Sequence, residues 1–337
     1  MRRRVVFWRV VGSIALVAWS ALEAVPAKAQ CTVYVPTHKS NSVAVVDTGL
    51  DRVVTVIPVE IQPLAVAITP DRSFAYVTNS GWMFGSNSVS VIDTATNTVA
   101  ATIHVGSFPV GVAFTPNGAT AYVANFNSNT VSVIDTTTKS VTATVSVGNG
   151  PWGLAVAPNG ALAYVTNVNS NNVSVIDTAS NSVTAIVPAG TGPVGIAMKP
   201  DGTTAYVANQ TSNDVTVINL ATNTKAASIP AGHGTYALAV TPNGGTVFAA
   251  NSADSTVSVI NTATNSVTQT IAVGSQPHGV AVTPDGAFVY VTNQIANSLS
   301  VIETATNTVV DTIEGVATLP EGIAIMLQKN ALKYSCR

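Results

Sequence analysis

One short motif occurs seven times along the chain at an almost constant spacing, and this regularity constrains the fold more than any other feature. The motif, Tyr-Val-Thr-Asn or a close variant, begins at Tyr34, Tyr76, Tyr122, Tyr164, Tyr206, Phe248 and Tyr290, at intervals of 42, 46, 42, 42, 42 and 42 residues. A second motif, of the form Ser-Val-Ser-Val-Ile-Asp, ends at Asp47, Asp93, Asp135, Asp177, Asn219, Asn261 and Glu303 at the same intervals. A period of about 40–45 residues is typical of propeller blades. The single longer interval predicts a four-residue insertion near residues 81–86.

Each repeat predicts four short strands and no helix. In the copy that contains Tyr122, residues 112–115, 121–125, 131–135 and 141–147 are rich in β-branched residues and alternate in polarity. Thr115-Pro116-Asn117-Gly118 separates the first two and has the residues of a type I turn. We therefore predict an all-β chain, a seven-bladed β-propeller with four antiparallel strands per blade.

The N-terminal residues have the three-part layout of a secretory signal peptide. Met1–Arg9 holds four arginines, residues 10–22 are apolar, and Ala27-Lys28-Ala29 supplies the small residues of a cleavage site. The apolar part is too short to span a bilayer, and no later segment reads as a membrane helix. We expect cleavage after Ala29, by the Sec or the twin-arginine route, a propeller domain over residues 30–337, and a periplasmic or secreted product.

The two ends of the mature chain are predicted to share one blade. The chain begins at the second strand of a repeat and ends on a first strand at residues 322–325, so the N-terminal strands complete the last blade and leave no free edge. Cys31 and Cys336 lie just outside this blade, and two cysteines in an exported chain favour a disulfide. The alternative is two unrelated free thiols.

The charge content excludes some classes of function. Charged residues make up 9% of the chain, against about 25% in ordinary domains. The formal charge is −2, and it becomes −6 when the signal peptide takes away five basic residues and one acidic residue. A nucleic-acid-binding protein needs a concentrated basic face, so no nucleic-acid partner is predicted. No motif indicates a cofactor or a metal site.

The tandem motifs resemble those of the YVTN-family β-propeller repeat proteins. The strings Tyr-Val-Thr-Asn, Ser-Val-Ser-Val-Ile-Asp and Thr-Pro-Asp-Gly carry this resemblance across residues 31–328. It implies a seven-bladed propeller outside the cytoplasm, as in bacterial exported proteins and archaeal surface-layer proteins. It implies little about activity, because the repeated residues are the scaffold.

Function is expected where the repeats differ, on the face formed by the loops that enter each blade and the loops between second and third strands. The residue after Pro in Pro-x-Gly should ring the mouth of the central channel; the seven residues are Leu64, Val110, Trp152, Val194, Tyr236, His278 and Glu321. Numbered from the copy that holds Leu64, blades one to three carry an aromatic sector of Trp82, Phe84, Phe108, Phe126 and Trp152. Blades five to seven carry an ionisable sector of His233, Tyr236, Asp254, His278, Glu321 and His38.

An aromatic shelf beside an ionisable arc indicates a surface that binds a polar ligand with an apolar face, such as a glycan, a peptide or a protein. We therefore predict a non-catalytic, monomeric binding scaffold. One alternative is a propeller enzyme of lactonase or lyase type, with His278 as base and Glu321 as its orienting partner, or with His38, His233 and His278 on a shared metal. Another is a purely architectural envelope or surface-layer component, and a further reading is that loop residues vary freely.

Overall fold

The computed structural model describes residues 31–81 and 86–328 of the chain. The strands before the first complete repeat are β1 (Cys31–Thr37), β2 (Ser42–Asp47) and β3 (Arg52–Pro58). The next are β4 (Pro63–Ile68), β5 (Phe74–Asn79), β6 (Ser88–Asp93), β7 (Thr98–His104), β8 (Pro109–Phe114), β9 (Thr120–Asn125), β10 (Thr130–Asp135) and β11 (Ser140–Ser146). They continue with β12 (Pro151–Val156), β13 (Leu162–Asn167), β14 (Asn172–Asp177), β15 (Ser182–Pro188), β16 (Pro193–Met198), β17 (Thr204–Asn209), β18 (Asp214–Asn219) and β19 (Thr224–Pro230). The last are β20 (Thr235–Val240), β21 (Thr246–Asn251), β22 (Thr256–Asn261), β23 (Ser266–Ala272), β24 (Pro277–Val282), β25 (Phe288–Asn293), β26 (Ser298–Glu303), β27 (Thr308–Glu314) and β28 (Ala324–Leu327).

These strands form seven four-stranded antiparallel sheets, each in simple sequential order. The sheets are blade one (β4–β7), blade two (β8–β11), blade three (β12–β15), blade four (β16–β19), blade five (β20–β23), blade six (β24–β27) and blade seven (β28, β1, β2, β3). The predicted all-β, seven-bladed propeller is thus confirmed. Within the described ranges the one helical element is a 3₁₀ turn at His38–Ser40, and no helix is long and apolar enough to cross a membrane.

Blade seven is built from both ends of the described chain, as predicted. Its innermost strand β28 pairs antiparallel with β1, in a register that places Cys31 opposite Leu327 and Tyr34 opposite Ala324. The predicted bounds of this strand, 322–325, were wrong by two residues. Met326 and Leu327 lie beyond the predicted strand end, at the position of the turn in the other repeats, and they belong to the strand because β1 supplies them with pairing partners.

The hydrophobic core lies between the blades, because each sheet buries both faces of its middle strands. Burial is nearly continuous along second and third strands, while the outer fourth strands alternate between exposed and buried residues. Between blades seven and six, for example, Val33 and Val35 belong to one cluster with Tyr290 and Val301.

The tyrosine of the Tyr-Val-Thr-Asn motif packs between blades, as predicted. Six of these tyrosines and the equivalent Phe248 are at most 1% exposed. Four of the hydroxyls also donate a hydrogen bond to an asparagine in a turn of the next blade; the pairs are Tyr34–Asn97, Tyr122–Asn181, Tyr164–Asn223 and Tyr206–Asn265. We call this contact the tyrosine latch.

The Asp or Asn residue that ends six of the seven third strands caps the following turn. In blade one, Asp93 Oδ1 accepts hydrogen bonds from the backbone amides of Ala95 at 2.8 Å and Thr96 at 3.0 Å. Asn97 then closes the turn with a left-handed φ of 54°, a conformation that asparagine tolerates well. These turns and the Thr-Pro-Asn-Gly turns lie at the face opposite the entry loops, which leaves the variable loops together at the other face.

Candidate ligand-binding site at the channel mouth

The seven innermost strands enclose a cavity of about 250 Å³ at one end of the central channel. Each blade contributes three consecutive residues to its lining, the first of which follows a proline or, in blade five, Thr235. All seven residues predicted to ring the channel mouth line this cavity; they are Leu64, Val110, Trp152, Val194, Tyr236, His278 and Glu321. The third residue of each strand is Val, Leu or Ile and forms an apolar floor.

Glycine at the second lining position lets neighbouring strands approach closely. A Cβ atom on Gly153 would lie 2.2 Å from the carbonyl oxygen of Val194, which is nearer than any real contact. The threonine of the Tyr-Val-Thr-Asn motif then ties the two blades together, since Thr166 Oγ1 accepts from Gly153 N at 2.8 Å and donates to Val194 O at 2.7 Å. These short approaches hold the first lining residues in one tight ring.

The aromatic residues at the mouth form a continuous cluster. The ring centroids of Phe108 and Phe126 are 5.6 Å apart, those of Phe126 and Trp152 are 5.5 Å apart, and those of Trp152 and Tyr236 are 6.2 Å apart, all near edge-to-face. Phe108 is buried, with 4% of its surface exposed, so it supports the cluster from below rather than forming an open shelf.

The predicted aromatic and ionisable sectors meet at Tyr236 instead of standing apart. Its ring stacks on the His278 imidazole with centroids 4.2 Å apart and an interplanar angle of 18°. Trp152 of blade three contacts Tyr236 of blade five directly, although blade four, which contributes Val194 to the lining, lies between these two blades. Trp152, Tyr236 and His278 therefore form one continuous group across the mouth of the channel.

Glu321 is the centre of a hydrogen-bonded polar group. Its Oε2 lies 2.8 Å from His278 Nδ1, and its Oε1 accepts from Gln294 Nε2 at 2.6 Å. The residue is only 7% exposed, and a buried carboxylate requires such partners. The Glu321 backbone is equally fixed, since its amide donates to Pro36 O at 3.0 Å and its carbonyl accepts from Thr292 Oγ1 at 2.6 Å.

The Glu321 carboxylate affects the pKa of two further side chains. Burial raises the pKa of the Tyr236 phenol, and the charge of Glu321 raises it further. Burial lowers the pKa of His38, while Glu321 acts in the opposite direction. The Nδ1 atom of His38 is buried without a hydrogen-bond partner in the part of the chain that the structure describes. Glu321 thus acts electrostatically on other residues of the ionisable sector, in addition to its direct contacts.

His233 and Asp254 belong to the sector by sequence but have a surface role. The Asp254 carboxylate accepts from the His233 backbone amide at 2.7 Å and lies 3.0 Å from His233 Nδ1, and that backbone hydrogen bond lowers its pKa. Ser170 and Ser212 accept from backbone amides in the same way in neighbouring blades. Asp254 is therefore the blade-five form of a repeated loop contact, and the His233 side chain is 73% exposed.

The structure does not support a metal shared by His38, His233 and His278. Within residues 31–81 and 86–328, no three His, Cys, Asp or Glu side chains are arranged to hold a metal ion. Other predicted residues, namely Trp82, Phe84 and Cys336, lie outside the described residues, as do residues 1–29 of the predicted signal peptide. Cys31 is fully buried at the start of β1, and its pairing with Cys336 stays a prediction.

Gln294 is a site residue that the sequence analysis missed. It follows the last residue of the second strand, the same repeat position as Phe126 and His38, both of which were identified. An amide at a loop position looks ordinary in sequence, and its role depends on Glu321, which comes from the next blade. Gln210 occupies the same repeat position in blade four, so the residue type alone does not single out Gln294.

Comparison with known proteins agrees with the repeats and the fold. Residues 231–321 match the family model described as the YNCE-like beta-propeller. The chain is a seven-bladed β-propeller, and its residues 231–321 are similar to the YNCE-like beta-propeller family. The resemblance to YVTN-type repeat proteins is thereby confirmed, and the family match lies over blades five and six and reaches Glu321.

Several solved structures share the propeller fold. Hydrazine synthase of Kuenenia stuttgartiensis is similar with a TM-score of 0.74 and 24% identity, covering 87% of this chain and 99% of that chain. A protein of unknown function from Desulfotomaculum acetoxidans has a TM-score of 0.75 and 20% identity over 87% of this chain and 98% of that chain. A candidate 6-phosphogluconolactonase from Bacteroides uniformis has a TM-score of 0.75 and 16% identity over 89% of this chain and all of its own. No curated protein matches the chain in sequence.

Proposed function

We propose that this propeller is an exported, non-catalytic scaffold that binds a ligand in the cavity at the channel mouth. The carrying observation is that Glu321, a buried carboxylate, lies in a cavity otherwise lined mainly by aliphatic, aromatic and glycine residues. Burial of a charged group is unfavourable unless partners compensate it, and a buried carboxylate held in a cavity is a candidate for a functional site. The cavity volume of about 250 Å³ suits one small ring or side chain of a larger glycan or peptide, because each ordered water accounts for about 30 Å³.

Substitution at Trp152 tests this proposal. Trp152→Leu removes the indole surface and keeps an apolar side chain, so retention on glycan and peptide arrays is expected to fall at least tenfold, since aromatic contacts contribute about 1–2 kcal/mol. Ile295→Ala is the matched control, because Ile295 is 58% exposed on the same variable face and does not line the cavity. Equal retention by the Leu variant and the unmodified protein would contradict the proposal.

A catalytic role is a second candidate, which the contact between His278 and Glu321 favours. A carboxylate 2.8 Å from Nδ1 orients an imidazole so that Nε2 can act as a general base. The candidate lactonases among the structural neighbours make a lactone the first substrate class to test. A phosphorylated lactone fits poorly, since the lining residues hold no lysine or arginine for a phosphate. His278→Ala should eliminate turnover of a lactone and ester panel if this role is correct.

Export and oligomeric state are part of the same proposal. The layout of residues 1–29 supports cleavage after Ala29, and the intact mass of the protein recovered from the periplasm or the medium tests it. Native mass at micromolar concentration should give a monomer. Oligomers that form through the uniform turn face, together with failure to bind on the arrays, would favour the architectural alternative.

A further inference from the structure

The cavity at the channel mouth carries negative charge and no fixed positive charge. Glu321 is the only acidic residue among its lining residues, and none of them is lysine or arginine. Within the described ranges, no lysine or arginine forms an ion pair with Glu321. A ligand that brings its own anion would therefore meet a like charge, with no lysine or arginine among the lining residues to offset it.

The neighbours of Glu321 provide hydrogen bonds but little positive charge. Gln294 is a neutral amide that donates to Oε1, and burial lowers the pKa of His38, which favours its neutral form. His278 lies against Oε2 and stacks on Tyr236, so its ring is held in place as a hydrogen-bond partner. Glu321 is thus the acidic group on which these polar contacts converge.

The opposite wall adds aromatic surface. Trp152 and Tyr236 both line the cavity, and Phe126 packs on Trp152 from behind with centroids 5.5 Å apart. Aromatic faces attract organic cations through the negative charge of their π-systems, and this attraction strengthens where water is excluded. A carboxylate beside aromatic rings is a combination that recognises an ammonium group.

We infer that the ligand bound at the channel mouth presents a small organic ammonium group, which would lie between Glu321 and the rings of Trp152 and Tyr236. This inference rests on the proposed binding function and specifies the chemical class of the ligand. The apolar floor suits the alkyl groups of a methylated or alkyl ammonium better than a strongly hydrated metal ion. A free amine-bearing compound and a lysine-like side chain of a peptide share this chemistry.

Calorimetric titration with tetramethylammonium chloride tests the inference on the full protein, with sodium chloride and methyl glucoside as reference titrants at constant ionic strength. Binding of tetramethylammonium is expected, and Glu321→Gln should weaken it at least about tenfold by removing the charge from a partly buried site. Glu303→Gln removes the same charge from an exposed turn and should leave the affinity unchanged. Trp152→Leu should weaken binding independently, and thermal midpoints show that each variant is folded.

The outcomes separate this inference from the proposed function. Loss of affinity in Glu321→Gln and retention in Glu303→Gln supports it. Binding of methyl glucoside without binding of tetramethylammonium overturns the ammonium inference and leaves the proposed function intact. Equal affinity of Glu321→Gln and the unmodified protein for tetramethylammonium also overturns it, because the cation would then bind elsewhere. A choline-like compound and a trimethyllysine peptide, titrated next, distinguish a free ligand from a protein partner.

Discussion

Lys139 occupies the turn position at which other blades place the asparagine of the tyrosine latch. Asn97, Asn181, Asn223 and Asn265 accept the hydroxyl hydrogen bonds of tyrosines in the preceding blades. At the seam between blades one and two, the hydroxyl of Tyr76 is buried and has no partner within the described ranges. The Lys139 ammonium lies instead 4.8 Å from the centroid of the Phe74 ring. Lys139→Asn should therefore restore a missing latch.

The expected gain is about 1 kcal/mol in the free energy of unfolding. A new hydrogen bond contributes about 0.5–1.5 kcal/mol, and relief of an unpaired buried hydroxyl adds to it. Loss of the exposed cation–π contact with Phe74 costs about 0.5–1 kcal/mol. Asparagine also suits the φ of 53° at this position better than lysine. For a domain of this size the gain corresponds to a rise in Tm of about 2 °C.

A double-mutant cycle in urea measures the latch itself. Tyr76→Phe should be neutral or slightly stabilising in the unmodified protein, because it removes an unpaired hydroxyl, but destabilising by about 1 kcal/mol when Lys139→Asn is present. Asn181→Lys is the matched control, since it creates the same defect beside Tyr122 and should lower stability by a similar amount. A coupling energy of zero between positions 76 and 139 would refute the reasoning.

Three further predictions concern closure, tyrosine burial and the glycine ring. Cys31→Ser should lower stability by up to about 5–6 kcal/mol if a disulfide with Cys336 closes a loop of about 300 residues, and thiol alkylation of the unreduced protein, which should label neither cysteine, checks the bond directly. Burial raises the pKa of Tyr34 to about 12, so stability should be constant below pH about 10, the pKa of unfolded tyrosine, and fall as the pH rises from there towards 12; denaturation that is complete well below pH 10 would contradict this. Gly153→Ala, whose Cβ would meet a carbonyl at 2.2 Å, should destabilise far more than Gly245→Ala, whose nearest neighbour is a side-chain atom at 3.3 Å, and urea midpoints compare the two.

The fold was predictable because the residues that form the strands and turns recur in all seven repeats. Tyrosine at the second strand, aspartate at the end of the third and Pro-x-Gly at the first each recur in register, so an error in one copy is corrected by the others. The bounds of β28 were predicted wrongly because the last copy departs from the repeat. The last copy has no turn sequence to mark the strand end, and pairing with β1 decides where it lies.

The candidate site was predictable only in part, because its contacts cross between blades. The ring positions of Trp152 and Tyr236 followed from the Pro-x-Gly register, but their mutual contact depends on the reach of two large side chains past Val194. Gln294 acquires its role from Glu321, and Phe108 is buried by neighbours that lie in other repeats. The register of the repeats predicts the position of each residue and the face on which it lies. Side-chain packing between blades determines which of these residues are in contact.

The most polar part of the site depends on the blade that closes the ring. Glu321 precedes β28 at the C-terminal side, and His38 follows β1 at the N-terminal side, so the two are separated by nearly the whole chain. Their placement relies on the hydrogen bond from Glu321 N to Pro36 O at 3.0 Å and on the bridge between Thr37 and Pro320. In a repeat protein most contacts of a blade are with its two neighbours, so we expect local opening at this seam to leave the other blades folded. Because Glu321 also orients His278 across the seam to blade six, ring closure and ligand binding should be coupled: whatever stabilises blade seven stabilises the arrangement of the carboxylate.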